Sequence, residues 1–214
     1  SNKTVSVLFM LFITLNRLFQ SKDFSGGDQL VPVSVQSGAP FTGSYTADGL
    51  KNIEVALTGG EYPSLFGQVK GAVIRNIGVT GTIESTVPYT AGIAGLAEEA
   101  QITDCENSAV ITVSGSGIAG GSYTGGIVGK IDENSTLSDC VNKGALNVQA
   151  PFAGGIAGEA ACLVERCENS GTIYNDNSVM SGTFEGAVGG VIGLQKTNAG
   201  IVDCRNSGKV ENHY

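Results

Sequence analysis

The sequence predicts an all-β chain: a single-stranded right-handed parallel β-helix of about five coils, closed at its start by an N-terminal capping helix. Three observations predict it. The first is a repeat. Ala91-Gly92-Ile93-Ala94-Gly95, Gly125-Gly126-Ile127-Val128-Gly129, Gly154-Gly155-Ile156-Ala157-Gly158 and Gly189-Gly190-Val191-Ile192-Gly193 share one pattern. Each is followed by Cys-x-Asn, at Cys105 and Asn107, Cys140 and Asn142, Cys167 and Asn169, and Cys204 and Asn206. Units of this size cannot bury a core alone and must stack. The second is a weaker first copy, Ser64-Leu65-Phe66-Gly67, in which Ile77 takes the place of the cysteine. An apolar residue in that column means the column faces inward. The third is that only strand-length apolar runs separate the turns, with no helical period between them.

The elements follow in order. Residues 4–20 read as a helix, because Thr4 can cap it and Val7, Leu8, Leu11, Phe12, Leu15, Leu18 and Phe19 fall at helical spacing. The apolar run over 5–15 is too short to span a bilayer. A signal-peptide core fits its length and Lys3, but Asn16 and Arg17 follow and no small-residue cleavage pattern appears. The run therefore reads as a buried or amphipathic helix, any export signal having been removed before this numbering begins. Residues 21–49 are loop-rich, with a short strand at Leu30, Val31 and Val33, and residues 50–57 alternate as a strand does. This divides the chain into a cap, 1–37, and repeats, 38–214.

Within the repeats each unit is a Gly-hinged apolar strand, a polar turn, a strand ending near the cysteine, an Asn-Gly-type turn and a further short strand. The glycines are expected at corners, where left-handed backbone is needed. Stacking places Ile93, Ile127, Ile156 and Val191 above one another and lines the asparagines into an amide ladder that ends at Val79. The cysteine column moves by 28, 35, 27 and 37 residues from Ile77 onward. The longer units carry insertions at 114–122 and 175–186, which are expected to project as loops. The last repeat runs to Val210, so its edge is expected to pair with another molecule or with more chain.

Composition narrows the function. The chain of 214 residues has a net charge of −8 and a pI near 4.6. Such a chain repels phosphate backbones, which disfavours nucleic acid as a partner. Its one histidine is His213, so triads, Cys-His dyads and His-rich zinc sites are not expected, and no cofactor or metal is. Trp is absent and aromatics make up 7%, so no broad stacking platform for sugar rings is evident. The five cysteines read as a buried thiol column plus Cys162, whose pairing with Cys167 stays open.

Several motifs are declined. Residues 115–120 match GxGxxG, but no helix follows. Gly129-Lys130 lacks the remainder of a phosphate loop and reads as a hinge plus an exposed lysine. Asp104, Asp139 and Asp203 recur with the repeat, Arg166 breaking the series, and read as solvated turn residues rather than a glycosidase pair. Glu98-Glu99 and Asp132-Glu133 read as hairpin-like polar turns that keep the surface soluble.

The Gly-apolar-apolar-Gly hinges are followed by segments such as Leu137-Ser138-Asp139-Cys140-Val141-Asn142-Lys143-Gly144 and Ile201-Val202-Asp203-Cys204-Arg205-Asn206-Ser207-Gly208. Together with the lead-in Pro40-Phe41-Thr42-Gly43-Ser44-Tyr45 and Gly49-Leu50-Lys51-Asn52-Ile53, they resemble the GLUG-motif repeats of bacterial cell-surface proteins, over residues 38–214. The Asp-Gly-Asn-Gly turn often seen in that family is reduced here to Ala47-Asp48-Gly49-Leu50. The resemblance implies a right-handed β-helix on an extracellular or cell-surface protein, without catalytic residues. The expected function is a non-catalytic adhesion or spacer module, touching a glycan or a host or cell-surface protein through its insertion loops. Tyr123, Phe152 and Phe184 are the candidate ligand contacts, against corner packing as the bland reading. Two alternatives stand beside it: a polysaccharide-active enzyme with paired carboxylates, and an element that assembles end to end.

Overall fold

A computed structural model describes residues 24–25, 40–115, 121–176 and 186–213. They form an all-β arrangement with no helix among the described residues, and all strand pairings are parallel. The expected helix over 4–20 and the strand near Leu30 lie outside the described residues, as do most of both insertions.

The second full repeat shows the plan. Tyr89–Ala91 joins a four-stranded sheet, and Ala94–Glu98 joins a five-stranded sheet. Gln101–Thr103, Glu106–Asn107 and Val110–Val113 join a fifteen-stranded sheet. The next repeat does the same with Tyr123–Gly125, Val128–Ile131, Thr136–Ser138, Val141–Asn142 and Leu146–Val148, in register above it. Two further repeats continue it, ending at Val210–His213. Below, Ser44–Thr58 pairs with Val73–Ser85, and Phe24–Ser25 pairs with Tyr45 and Thr46. Glu98-Glu99 and Asp132-Glu133 therefore do not sit in hairpins, since they join parallel strands of different sheets.

The three sheets share one core, running from Phe41 to Ile192. Ile93, Ile127, Ile156 and Val191 stack as expected, the amides of the three isoleucines each donating to the carbonyl one level on. At the lower end, Phe66 packs on Phe41 and Tyr45, with ring centroids 5.0 and 6.1 Å away. Aromatic side chains fill the space there that aliphatic columns fill above.

The amide ladder is present. Asn107 donates to Asn142 Oδ1 at 2.8 Å, Asn142 to Asn169 at 2.7 Å, and Asn169 to Asn206 at 2.7 Å. Each amide also donates to a backbone carbonyl two residues on. Three of these side chains are wholly buried, and a buried amide needs such partners. A shorter ladder links Asn175 to Asn212 at 2.9 Å. The cysteines stand as free thiols, with Cys105, Cys140 and Cys167 buried in one column above Ile77 and Cys204 half-buried at its end.

A second expectation is corrected. In the four full copies the hinge glycines are not left-handed corners, although Gly67 of the first copy is, at φ 66°. That conformation falls to Asn76, Asp104, Asp139, Arg166 and Asp203, one per repeat, with φ between 49° and 58°. Asn and Asp tolerate it best. The glycines are needed for close approach instead. A Cβ on Gly126 would lie 2.2 Å from the Gly155 carbonyl oxygen and 2.4 Å from Cγ of Asn142. Gly92, Gly155 and Gly190 face Asn107, Asn169 and Asn206 in the same way. The two halves of the motif are thus one steric unit.

Candidate functional site

Register alone builds an aromatic column on the outside of the four-stranded sheet. Tyr89, Tyr123 and Phe152 occupy the same position of successive strands. Tyr62 extends the column at the lower end. The rings stack at 5.8, 5.9 and 5.4 Å with interplanar angles of 26°, 21° and 14°. All four side chains are half-buried. Their faces are spent on one another, so the column offers solvent its ring edges rather than a row of open faces. Of the three candidate contacts, Tyr123 and Phe152 are brought together here, and Phe184 lies outside the described residues.

Beside this column lies a groove of about 370 Å³, open to solvent. It results from unequal corners. Ile131, Ala160 and Gln195 are in register on the five-stranded sheet. From these positions to the next strand, the chain uses residues 132–135, only Ala161 and Cys162, and residues 196–199. The short corner between two long ones leaves a gap, walled by Asp132 and Glu133 on one side and by Thr197 and Asn198 on the other. The long corners are held in place. The Asp132 carboxylate accepts from the Glu99 amide at 3.1 Å and from the Ser135 hydroxyl, and the Ala199 amide donates to the Lys196 carbonyl at 3.0 Å.

Glu159 forms the back of the groove. It shares a column with Leu96, Lys130 and Leu194 and is only 2% exposed. Lys130 pairs with Oε1 at 3.0 Å and Lys196 with Oε2 at 3.3 Å. Oε2 nonetheless accepts no hydrogen bond. Lys130 also lies over the Tyr123 ring, 5.2 Å from its centroid. Burial, then the adjacent Glu159 carboxylate, pushes the Tyr123 phenol up to about 12, so it stays protonated and able to donate. The Lys130 of the declined phosphate-loop motif is thus an ion-paired strand residue rather than a free surface lysine.

The recurrent aspartates do not converge. Asp104 pairs with Arg75 at 2.9 Å, and Asp139 takes both arms of Arg166 at 2.7 and 2.8 Å. They are spread along the left-handed corner, one to a repeat, as turn residues. Among the described residues no group of His, Cys, Asp and Glu side chains is placed to hold a metal, and no helix is long and apolar enough to cross a membrane.

Sequence reasoning missed Tyr62, Tyr89, Glu159 and Lys196. A signal existed for Tyr89, because Tyr89, Tyr123 and Phe152 each stand three residues before a column glycine. None existed for Glu159, whose partners come from neighbouring repeats. In comparisons with known proteins, no family model, curated protein or solved structure matches the chain.

Proposed function

We propose that the chain is a non-catalytic repeat module of a secreted or cell-surface protein, akin to the GLUG-motif repeats its sequence resembles. In this reading the parallel strands wind as a right-handed β-helix. The module acts as a stiff spacer that presents a glycan-contacting surface.

One observation carries the reading: the residues that define the repeat are spent on joining one level to the next. The Gly, Cys and Asn columns face inward, and each polar member bonds to the level above or to its own backbone. Even the charged residues outside them tie levels together, as Arg166 does with Asp139, Arg205 with Glu168, and Lys143 with Glu106. A motif spent on stacking supports a scaffold, whose recognition belongs to positions outside the motif.

The test is affinity electrophoresis of the pure protein through gels containing plant, microbial or mucosal polysaccharides. The expected result is retardation by at least one polymer. Unchanged mobility in all of them overturns the glycan-contacting part and leaves a spacer or protein-binding module.

A further inference from the structure

We infer that the groove behind the short corner Ala161–Cys162 is a subsite for one sugar ring of a neutral glycan. Hydroxyl groups of the ring would be held between Glu159 and Lys196. The inference rests on the glycan-contacting reading above, and moves the contact from the insertion loops to a built site.

Four features support it. First, the groove is a gap in an otherwise repeating wall, because the chain spends two residues where both neighbours spend four. Its volume, about 370 Å³, lies in the range of small-ligand clefts. Second, the groove contains a buried charged group. Its column holds Leu96 and Leu194 as well as Lys130, so a leucine is compatible with the packing, yet here the residue is a carboxylate with 2% exposure. Burying a carboxylate is costly unless it is fully bonded. Third, Glu159 is incompletely bonded. Its Oε2 accepts no hydrogen bond, while the long, half-exposed Lys196 side chain stands 3.3 Å away. Fourth, one rim carries Thr197 and Asn198, which add neutral donors and acceptors.

The chemistry selects the ligand. An anion would meet the Glu159 carboxylate at the back of the site, and Asp132 and Glu133 at the rim. A metal cation would meet two ammonium groups within 3.3 Å of the same carboxylate. A hydroxyl suits both partners, because its O–H donates to Oε2 and its oxygen accepts from Lys196. A ring with neighbouring hydroxyls can do this and still reach Thr197 or Asn198. Binding one ring should be weak, roughly millimolar, with affinity for a polymer built up by repeated contact.

The probes are methyl glycosides of glucose, galactose, mannose and N-acetylglucosamine, titrated singly into the ¹⁵N-labelled full chain and followed by amide shifts. We expect saturable shifts centred on residues 130–133, 159–161 and 196–198 with at least one glycoside. Glu159→Leu, which copies Leu96 and Leu194 of the same column, should fold normally and lose about tenfold or more in affinity. Insertion of Asn-Ser between Ala161 and Cys162 should fill the gap and abolish the shifts. Three results would overturn the subsite: no shifts with any glycoside, shifts centred elsewhere, or groove shifts unchanged in Glu159→Leu. If polysaccharide gels still retard the chain in that case, only the subsite falls. If they do not, the glycan-contacting reading falls with it.

Discussion

The first repeat and the four that follow solve the same packing problem with different residues. In the first, the three inward columns hold Leu65, Ile77 and Val79, all fully buried. One level up they hold Gly92, Cys105 and Asn107, and the same trio recurs to Gly190, Cys204 and Asn206. The substitutions go together. Where Val79 replaces the amide, a fully buried Leu65 stands in the glycine's column. Where the amide is present, it lies against a residue that must lack a Cβ. The apolar set stabilises by burial alone. The Gly–Asn set adds directional bonds, which fix one level against the next and forbid slippage.

The sharpest way to break this comparison is Gly126→Ala. The new Cβ would meet the Gly155 carbonyl oxygen at 2.2 Å, and backbone cannot step aside as a side chain can. We expect a loss of more than about 3 kcal/mol in urea unfolding. Gly121→Ala is the control, since a Cβ there meets nothing within 4 Å. A cost confined to its left-handed backbone, about 1 kcal/mol, is expected. Equal losses at the two positions would remove close approach as the reason for the glycines.

The ladder itself comes next. Asn142→Val installs the first repeat's residue in the middle of the array. It leaves the Asn107 donor, the Asn169 acceptor and the Gly144 carbonyl without their bonds, in full burial. The expected cost is about 2–3 kcal/mol. Asn206→Val removes the same group from the exposed last level and should cost under about 1 kcal/mol. The gap between the two variants measures what burial adds to an amide bond here.

How much of this was legible in advance follows from where each cause resides. The stacking of Ile93 on Ile127, the inward cysteine column and the asparagine ladder all follow from period and residue type, and the sequence showed both. The glycines were visible too, but their purpose was not. A Gly that avoids a clash one level away looks the same in sequence as a Gly that takes a left-handed corner. The corner residues Asp104, Asp139 and Asp203 read from sequence only as solvated turns, and Asn76 stands in the same column without that label. The groove was hidden for a further reason. Repeat lengths drew attention to the two long insertions, whereas the groove comes from a corner that is short. Glu159 and Lys196 then meet across 37 residues of chain, which no local pattern reveals.

Thiol chemistry sharpens the same contrast between buried and terminal levels. Burial, with Cys105 and Cys167 as neighbours, pushes the Cys140 thiol well up, which lowers its thiolate fraction at neutral pH. Cys204 is also raised by burial, but it sits at the half-exposed end of the column. A disulfide reagent should therefore modify Cys204 in the folded protein and reach Cys140 only on unfolding. Modification of both at one rate under native conditions would show that the column opens as a whole.

The smallest effect concerns Arg166, the odd member of the left-handed column. A non-Asx residue at φ 49° carries backbone strain, offset here by a two-armed pair with Asp139. Hydrogen bonding from Arg166 holds the Asp139 carboxyl below its ordinary value. The sign follows from that direction. A carboxyl depressed in the folded state contributes stability above its unfolded value and loses it as pH falls through the folded one. Arg166→Asn restores the residue type of Asn76, relieving strain while removing the pair, so the two effects oppose each other at neutral pH. The wild-type midpoint should then fall relative to the variant on acidification through the carboxylate range. Added salt should move the difference the same way, because both side chains are partly exposed. A difference constant in pH and salt would mean that Arg166 acts through its backbone alone.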